Sequence, residues 1–177
     1  MSGKAALAGL LLAATPARAD DGAGIDQLLN FAANGCMRSA VDGASLQTFA
    51  KEQRAQAADE KTARAFLGAD TGAVYLKEDP QYPIALVERT GRVCTVNARF
   101  PGDLAPVIEA ADDYFVGPGS RFYPGRVFEE TSAHGGWVTH RVYLGARAGR
   151  RITILFSSDP KAPGLEQIAV TVTAETP

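Results

Sequence analysis

The sequence predicts an α+β fold, with N-terminal helices and one mid-chain helix packed on one face of a mainly antiparallel sheet. Three observations point there. Apolar residues recur at helical spacing in the first third of the chain and once more near its middle. Elsewhere they alternate at period two or form short β-rich blocks. The links between the last four such blocks are too short for crossover helices, which makes consecutive strands antiparallel.

The first helix is carried by Ile25, Leu28, Leu29 and Ala32, at i, i+3, i+4 and i+7, with Asn34-Gly35 as its stop. A second begins after Asp42-Gly43, where Ser45 is a suitable N-cap and Leu46, Phe49 and Ala50 form one stripe. Ala63, Phe66 and Leu67 extend or restart it, and the stretch from Gly68 to Gly72 ends it. There the period changes. Residues 73–76 read as a short strand, and Asp79-Pro80 as a turn. Residues 82–88 and 92–100 read as a hairpin around Thr90-Gly91. Leu104, Val107, Ile108, Ala111 and Phe115 give the clearest helical stripe, with Asp103 placed to cap it. After a Gly117-Pro118-Gly119-Ser120 loop, residues 122–131, 137–146, 151–158 and 165–174 form a C-terminal meander.

The first nineteen residues, MSGKAALAGLLLAATPARA, read as a secretory signal. Lys4 is the positive n-region, and residues 5–14 are an apolar stretch too short to cross a bilayer. Pro16 breaks the helix, and Ala17-Arg18-Ala19 places small residues at −3 and −1 of a cut before Asp20. The expected mature product is residues 20–177, a single domain in the periplasm or outside the cell. No cysteine follows the cut to take a lipid anchor, and no apolar run reaches the roughly 18–20 residues of a membrane span.

Composition narrows the class. A hydrophobic fraction of 46% with 21% charged residues excludes disordered, collagen-like and disulfide-dense chains. Without Lys4 and Arg18 the 18 basic residues become 16 against 20 acidic, a mature net charge of −4. That sign, on a secreted chain, argues against nucleic acid as a partner. Cys36 and Cys94 are the only cysteines. An even count in an oxidising compartment predicts a disulfide between them. A redox pair is the alternative, but the Cys-x-x-Cys spacing is absent.

No catalytic motif stands out. P-loop, nucleophile elbow, HExxH, dinucleotide fingerprint and calcium-loop patterns are absent, so no cofactor and no metal is expected. Glu129, Glu130, His134 and His140 are the densest metal-ligand candidates, but their spacing matches no zinc pattern. His140 alternates with Val138, Val142 and Leu144, which predicts a hydrogen-bonded, half-buried histidine on the apolar side of its strand. His134 falls in the preceding turn. The doublets Asp112-Asp113 and Glu129-Glu130 do not favour a shared-proton dyad, because neighbours on a strand point apart.

Charge is uneven along the chain. Residues 121–151 carry six arginines against Glu129 and Glu130, on an otherwise acidic protein. The alternation sets Trp137, Thr139, Arg141 and Tyr143 opposite the aliphatic side, with Arg151 on the next strand. Trp, Tyr and Arg are enriched at binding hot spots. Trp137, Arg141, Tyr143 and Arg151 are therefore the candidate binding face for a periplasmic protein or an anionic ligand.

Phe31, Cys36-Met37 after an opening helix, and Gly91-Arg92-Val93-Cys94-Thr95-Val96 in a strand resemble a family of small secreted proteins of Gram-negative bacteria to which no activity is assigned. The resemblance covers residues 25–111. It implies a secreted, disulfide-bearing α+β domain and carries over no catalytic residue. The lipid-anchoring cysteine of some such proteins is missing here. The expected function is a non-catalytic binding or protein-interaction module. The alternatives are a periplasmic hydrolase built on scattered acids or His140, or a structural envelope component.

Overall fold

The computed structural model describes residues 21–176, and the signal peptide expected over residues 1–19 lies outside them. Helix α1 (Asp21–Asn30) does not stop at Asn34-Gly35. It continues into a π-helical segment, Phe31–Asp42. Both of the expected stop residues have other uses. Asn34 donates from Nδ2 to Asn30 Oδ1 at 2.8 Å, along the helix surface. Gly35 leaves room for Phe49: a Cβ there would lie 2.8 Å from the Phe49 ring. That ring packs edge-on against Phe31, with centroids 5.3 Å apart. The stop is Gly43, at φ 71°, whose N–H returns to the Ser39 carbonyl at 3.1 Å.

Helix α2 (Leu46–Glu52) starts as expected, with Ser45 Oγ accepting from the Thr48 N–H at 3.2 Å. Helix α3 (Glu60–Leu67) is a restart, capped by the Asp59 carboxylate on the Thr62 N–H at 2.8 Å. Between them lies β1 (Gln56–Ala57), two exposed residues with no periodicity to announce them. Then follow β2 (Gly72–Lys77), β3 (Ile84–Arg89) and β4 (Val93–Ala98). Helix α4 (Ala105–Val116) begins where Asp103 Oδ1 accepts from the Ala105 N–H at 3.0 Å. The last four strands are β5 (Phe122–Thr131), β6 (Trp137–Arg147), β7 (Arg150–Ser158) and β8 (Ile168–Glu175). A 3-10 turn, Gly164–Glu166, precedes β8.

All eight strands form one antiparallel sheet in the order β1-β2-β3-β4-β8-β7-β6-β5. Two meanders are thus joined at β4 and β8. Helix α4 carries the chain from the middle of the sheet to its far edge, which leaves β5 with one neighbour among the described residues. Alternate residues of the central strands, among them Val96, Ile154, Phe156, Val170 and Val172, point to one face and are fully buried. They meet Leu28, Phe31, Leu46 and Phe115 from α1, the π-helical segment, α2 and α4. Cys36 and Cys94 form a disulfide that ties the π-helical segment to β4 inside this core.

Helix α3 is an addition to the expected layering, because it lies on the opposite face. Arg89 and Gly72 pair across β3 and β2 and share that outer face. Arg89 donates to the Phe66 carbonyl at 2.8 Å and lies 3.3 Å from the Asp70 carboxylate. A Cβ on Gly72 would lie 3.1 Å from Leu67.

Candidate functional site

Residues paired across an antiparallel ladder share a face. Tyr143 pairs with Ile154 and Arg141 with Phe156, both core residues, so this side of β6 faces the helices. The orientation expected from the alternation is therefore reversed. Val138, Val142 and Leu144 lie on the outer face, half-buried, together with His140. The reversal has a partner on α4. Tyr143 is 1% exposed, and its hydroxyl donates to Asp112 Oδ1 at 2.5 Å. Arg141 Nε lies 3.5 Å from Asp112 Oδ2. Burial, then the hydrogen bond to Asp112, pushes the Tyr143 phenol well above its ordinary pKa.

The four residues expected to make one binding face do not share a surface. Arg141 and Tyr143 meet beneath α4. Trp137 stands at the start of β6, 62% exposed. Arg151 lies on the outer face, paired with Glu175 at 3.3 Å.

His140 is nearly buried, and its ring stacks on Phe128 with centroids 4.7 Å apart. Nδ1 lies 2.8 Å from Ser157 Oγ. Nε2 is 3.0 Å from Glu130 Oε1 but off the direction a hydrogen bond needs. A carboxylate, an imidazole and a hydroxyl thus stand in line across β5, β6 and β7. The main-chain groups of Ser157 and Ser158 belong to the ladders with β8 and β6, so neither N–H of this pair is free to serve an oxyanion. His140 also lies outside the cavities described below. His134 sits in the β5–β6 turn and reaches Glu166 at 3.1 Å. Among the described residues no three His, Cys, Asp or Glu side chains converge on one point.

A cavity of about 460 Å³ forms a groove on the outer face between α3 and the 3-10 turn. Its floor is Thr95, Asn97 and Thr171, from β4 and β8. Its walls are Phe66 on one side and Pro163 and Leu165 on the other. The Thr95 and Thr171 hydroxyls are 3.0 Å apart. Arg89 closes one end, fixed by Asp70, by the Phe66 carbonyl and by Thr95 Oγ1 at 3.3 Å. The Asn97 carboxamide has no partner among the described residues, so it offers both a donor and an acceptor. No periodicity signals this groove, because it depends on α3 crossing to the outer face and on the loop before β8 folding back.

A cavity of about 350 Å³ lies beside the disulfide, but its polar groups are engaged: Ser39 donates to Glu88 at 2.5 Å and Arg92 to the Ala40 carbonyl at 3.2 Å. Another, of about 220 Å³, lies between Tyr114, Phe122 and Arg147, and Arg147 is bound to Asp42 at 3.0 Å. Compared with known proteins, the chain matches no family model, no curated protein and no solved structure.

Proposed function

We propose that this protein is a non-catalytic, extracytoplasmic binding module that holds a small polar ligand in the groove between α3 and the 3-10 turn. The observation that carries the reading is the unpartnered Asn97 carboxamide on a floor of hydroxyls, between apolar walls. Small-molecule sites combine a few placed polar groups with apolar lining, in volumes of roughly 300–1,000 Å³. The Arg89 charge is answered by Asp70, and Glu166 adds negative charge at the rim, which favours a neutral ligand over an anion. A ring bearing hydroxyl or amide groups on one edge fits this chemistry. The leader pattern and a buried disulfide support an oxidising compartment outside the cytoplasm.

The test is an amide chemical-shift titration of the folded, oxidised protein with N-acetylglucosamine and with alanyl-alanine. Shifts are expected at Asn97, Thr171, Arg89 and Leu165. Asn97→Ala removes two hydrogen-bonding groups and is expected to weaken binding about tenfold, with the melting temperature unchanged. Groove resonances that stay still with both probes, or shifts indifferent to Asn97→Ala, would overturn the reading.

A further inference from the structure

We infer that two copies of this chain pair through β5, antiparallel and centred on Phe128, so that their sheets join into one. The inference is independent of the groove. Strand β5 has ten residues and, among the described residues, one neighbour, whereas the opposite edge, β1, has two residues. Such an edge presents unpaired main-chain groups to any strand that can align with it.

The register follows from the hairpin. The Ser132 N–H donates to the Gly136 carbonyl at 3.1 Å, one step beyond the last pair of the β5–β6 ladder, Thr131 and Trp137. Bonding direction alternates along an antiparallel strand. Ser132, Glu130 and Phe128 therefore turn their main-chain groups to β6, and Val127, Glu129 and Thr131 turn theirs outward. A symmetric partner must set these outward residues against one another. Centred on Phe128, the pairing places Val127 opposite Glu129 of the second copy, on both sides of the two-fold axis. Phe128 then meets Phe128, and Arg126 meets Glu130 twice. These side chains fall in non-hydrogen-bonded pairs, where strands bring them closest.

The neighbouring registers are poorer. Centring on Glu129 opposes two glutamates and sets Phe128 against Glu130. Centring on Val127 sets Arg126 against Phe128 and Pro124 against Glu130, with no opposite charges paired. Side-chain placement agrees with the Phe128 register. The Arg126 guanidinium lies 4.7 Å from the Phe128 ring centroid, and Glu130 lies beside the His140 ring that stacks on Phe128. All three therefore share the outer face. On the other face, Val127 is exposed on the edge strand itself. Pro124 and the irregularity between Pro124 and Val127 end the pairing on one side. The result is a closed, isologous dimer rather than a filament.

The experiment is sedimentation equilibrium of the oxidised protein and three variants, with circular dichroism to confirm folding. The unaltered protein is expected to form a reversible dimer. Arg126→Glu and Glu130→Arg each oppose like charges and are expected to weaken dimerisation at least tenfold. The double variant R126E/E130R restores the pairs in swapped positions and is expected to return to within about threefold of the original. A protein monomeric up to millimolar concentration would overturn the inference. So would a dimer indifferent to the single reversals, or one the double variant fails to rescue.

Discussion

Asp112 is the residue on which the α4–β6 contact turns. Its two carboxylate oxygens take the Tyr143 hydroxyl and face the Arg141 guanidinium. Arg141 Nη1 is shielded from water and has no hydrogen-bond partner among the described residues, so it relies on that charge. Tyr143→Phe removes one hydrogen bond to a charged group and is expected to cost about 1.5–3 kcal/mol in urea unfolding. Asp112→Ala leaves both partners unanswered and is expected to cost at least as much. The Tyr143 pKa is raised in the folded state. Its contribution is therefore complete below the unfolded tyrosine value of about 10, and it fades as pH rises toward the folded value. Tyr143→Phe is expected to flatten that alkaline loss of stability. The sequence shows the alternation along β6 but not which side faces in. Three aliphatic residues outweigh a tyrosine and an arginine until a carboxylate on another element is known to receive them.

At the scale of elements, signals with a local mechanism were legible. Ser45, Gly68 and Asp103 mark helix ends through hydrogen bonds or backbone angles within a few residues. Asn34-Gly35 carries the same signal and ends nothing, because a glycine needed for close packing looks the same in sequence as one needed for a turn. Two substitutions separate the roles. Gly43→Ala, at a positive φ with open space around it, is expected to cost about 1 kcal/mol from the backbone alone. Gly35→Ala gains up to about 1 kcal/mol of helix propensity. It also drives a methyl into the Phe49 ring, and overpacking costs about 1–3 kcal/mol, so a net loss is expected. A rise in melting temperature for Gly35→Ala would mean that the ring yields. Strand β1 and the outward placement of α3 were illegible for a different reason. Strand β1 is too short to show a period, and the α3 stripe of Ala63, Phe66 and Leu67 does not say which face of the sheet it will cover.

At the scale of the whole molecule, the α+β class and the antiparallel order of β5 to β8 were legible from periodicity and link length. The seam between β4 and β8 was not, because nothing local records a pairing across 76 residues of chain. The disulfide was legible from count and compartment alone. Closing a 58-residue separation is worth about 4 kcal/mol by the loss of unfolded-chain entropy. The Cys36→Ala/Cys94→Ala double variant is expected to lose about 2–4 kcal/mol in denaturant unfolding. Both sulfurs are buried, so reduction of the native protein is expected to be slow and to follow the rate at which the core opens. The seam also sets a timetable. Both cysteines belong to the first meander and its helices, so that half can be stapled before β8 has been made. Until the last strand arrives, β4 is an open edge in what becomes the centre of the sheet. Long-range closure of this kind is slow. The wait for residues 168–175 is therefore the interval in which a newly made chain is most exposed to pairing with the wrong strand.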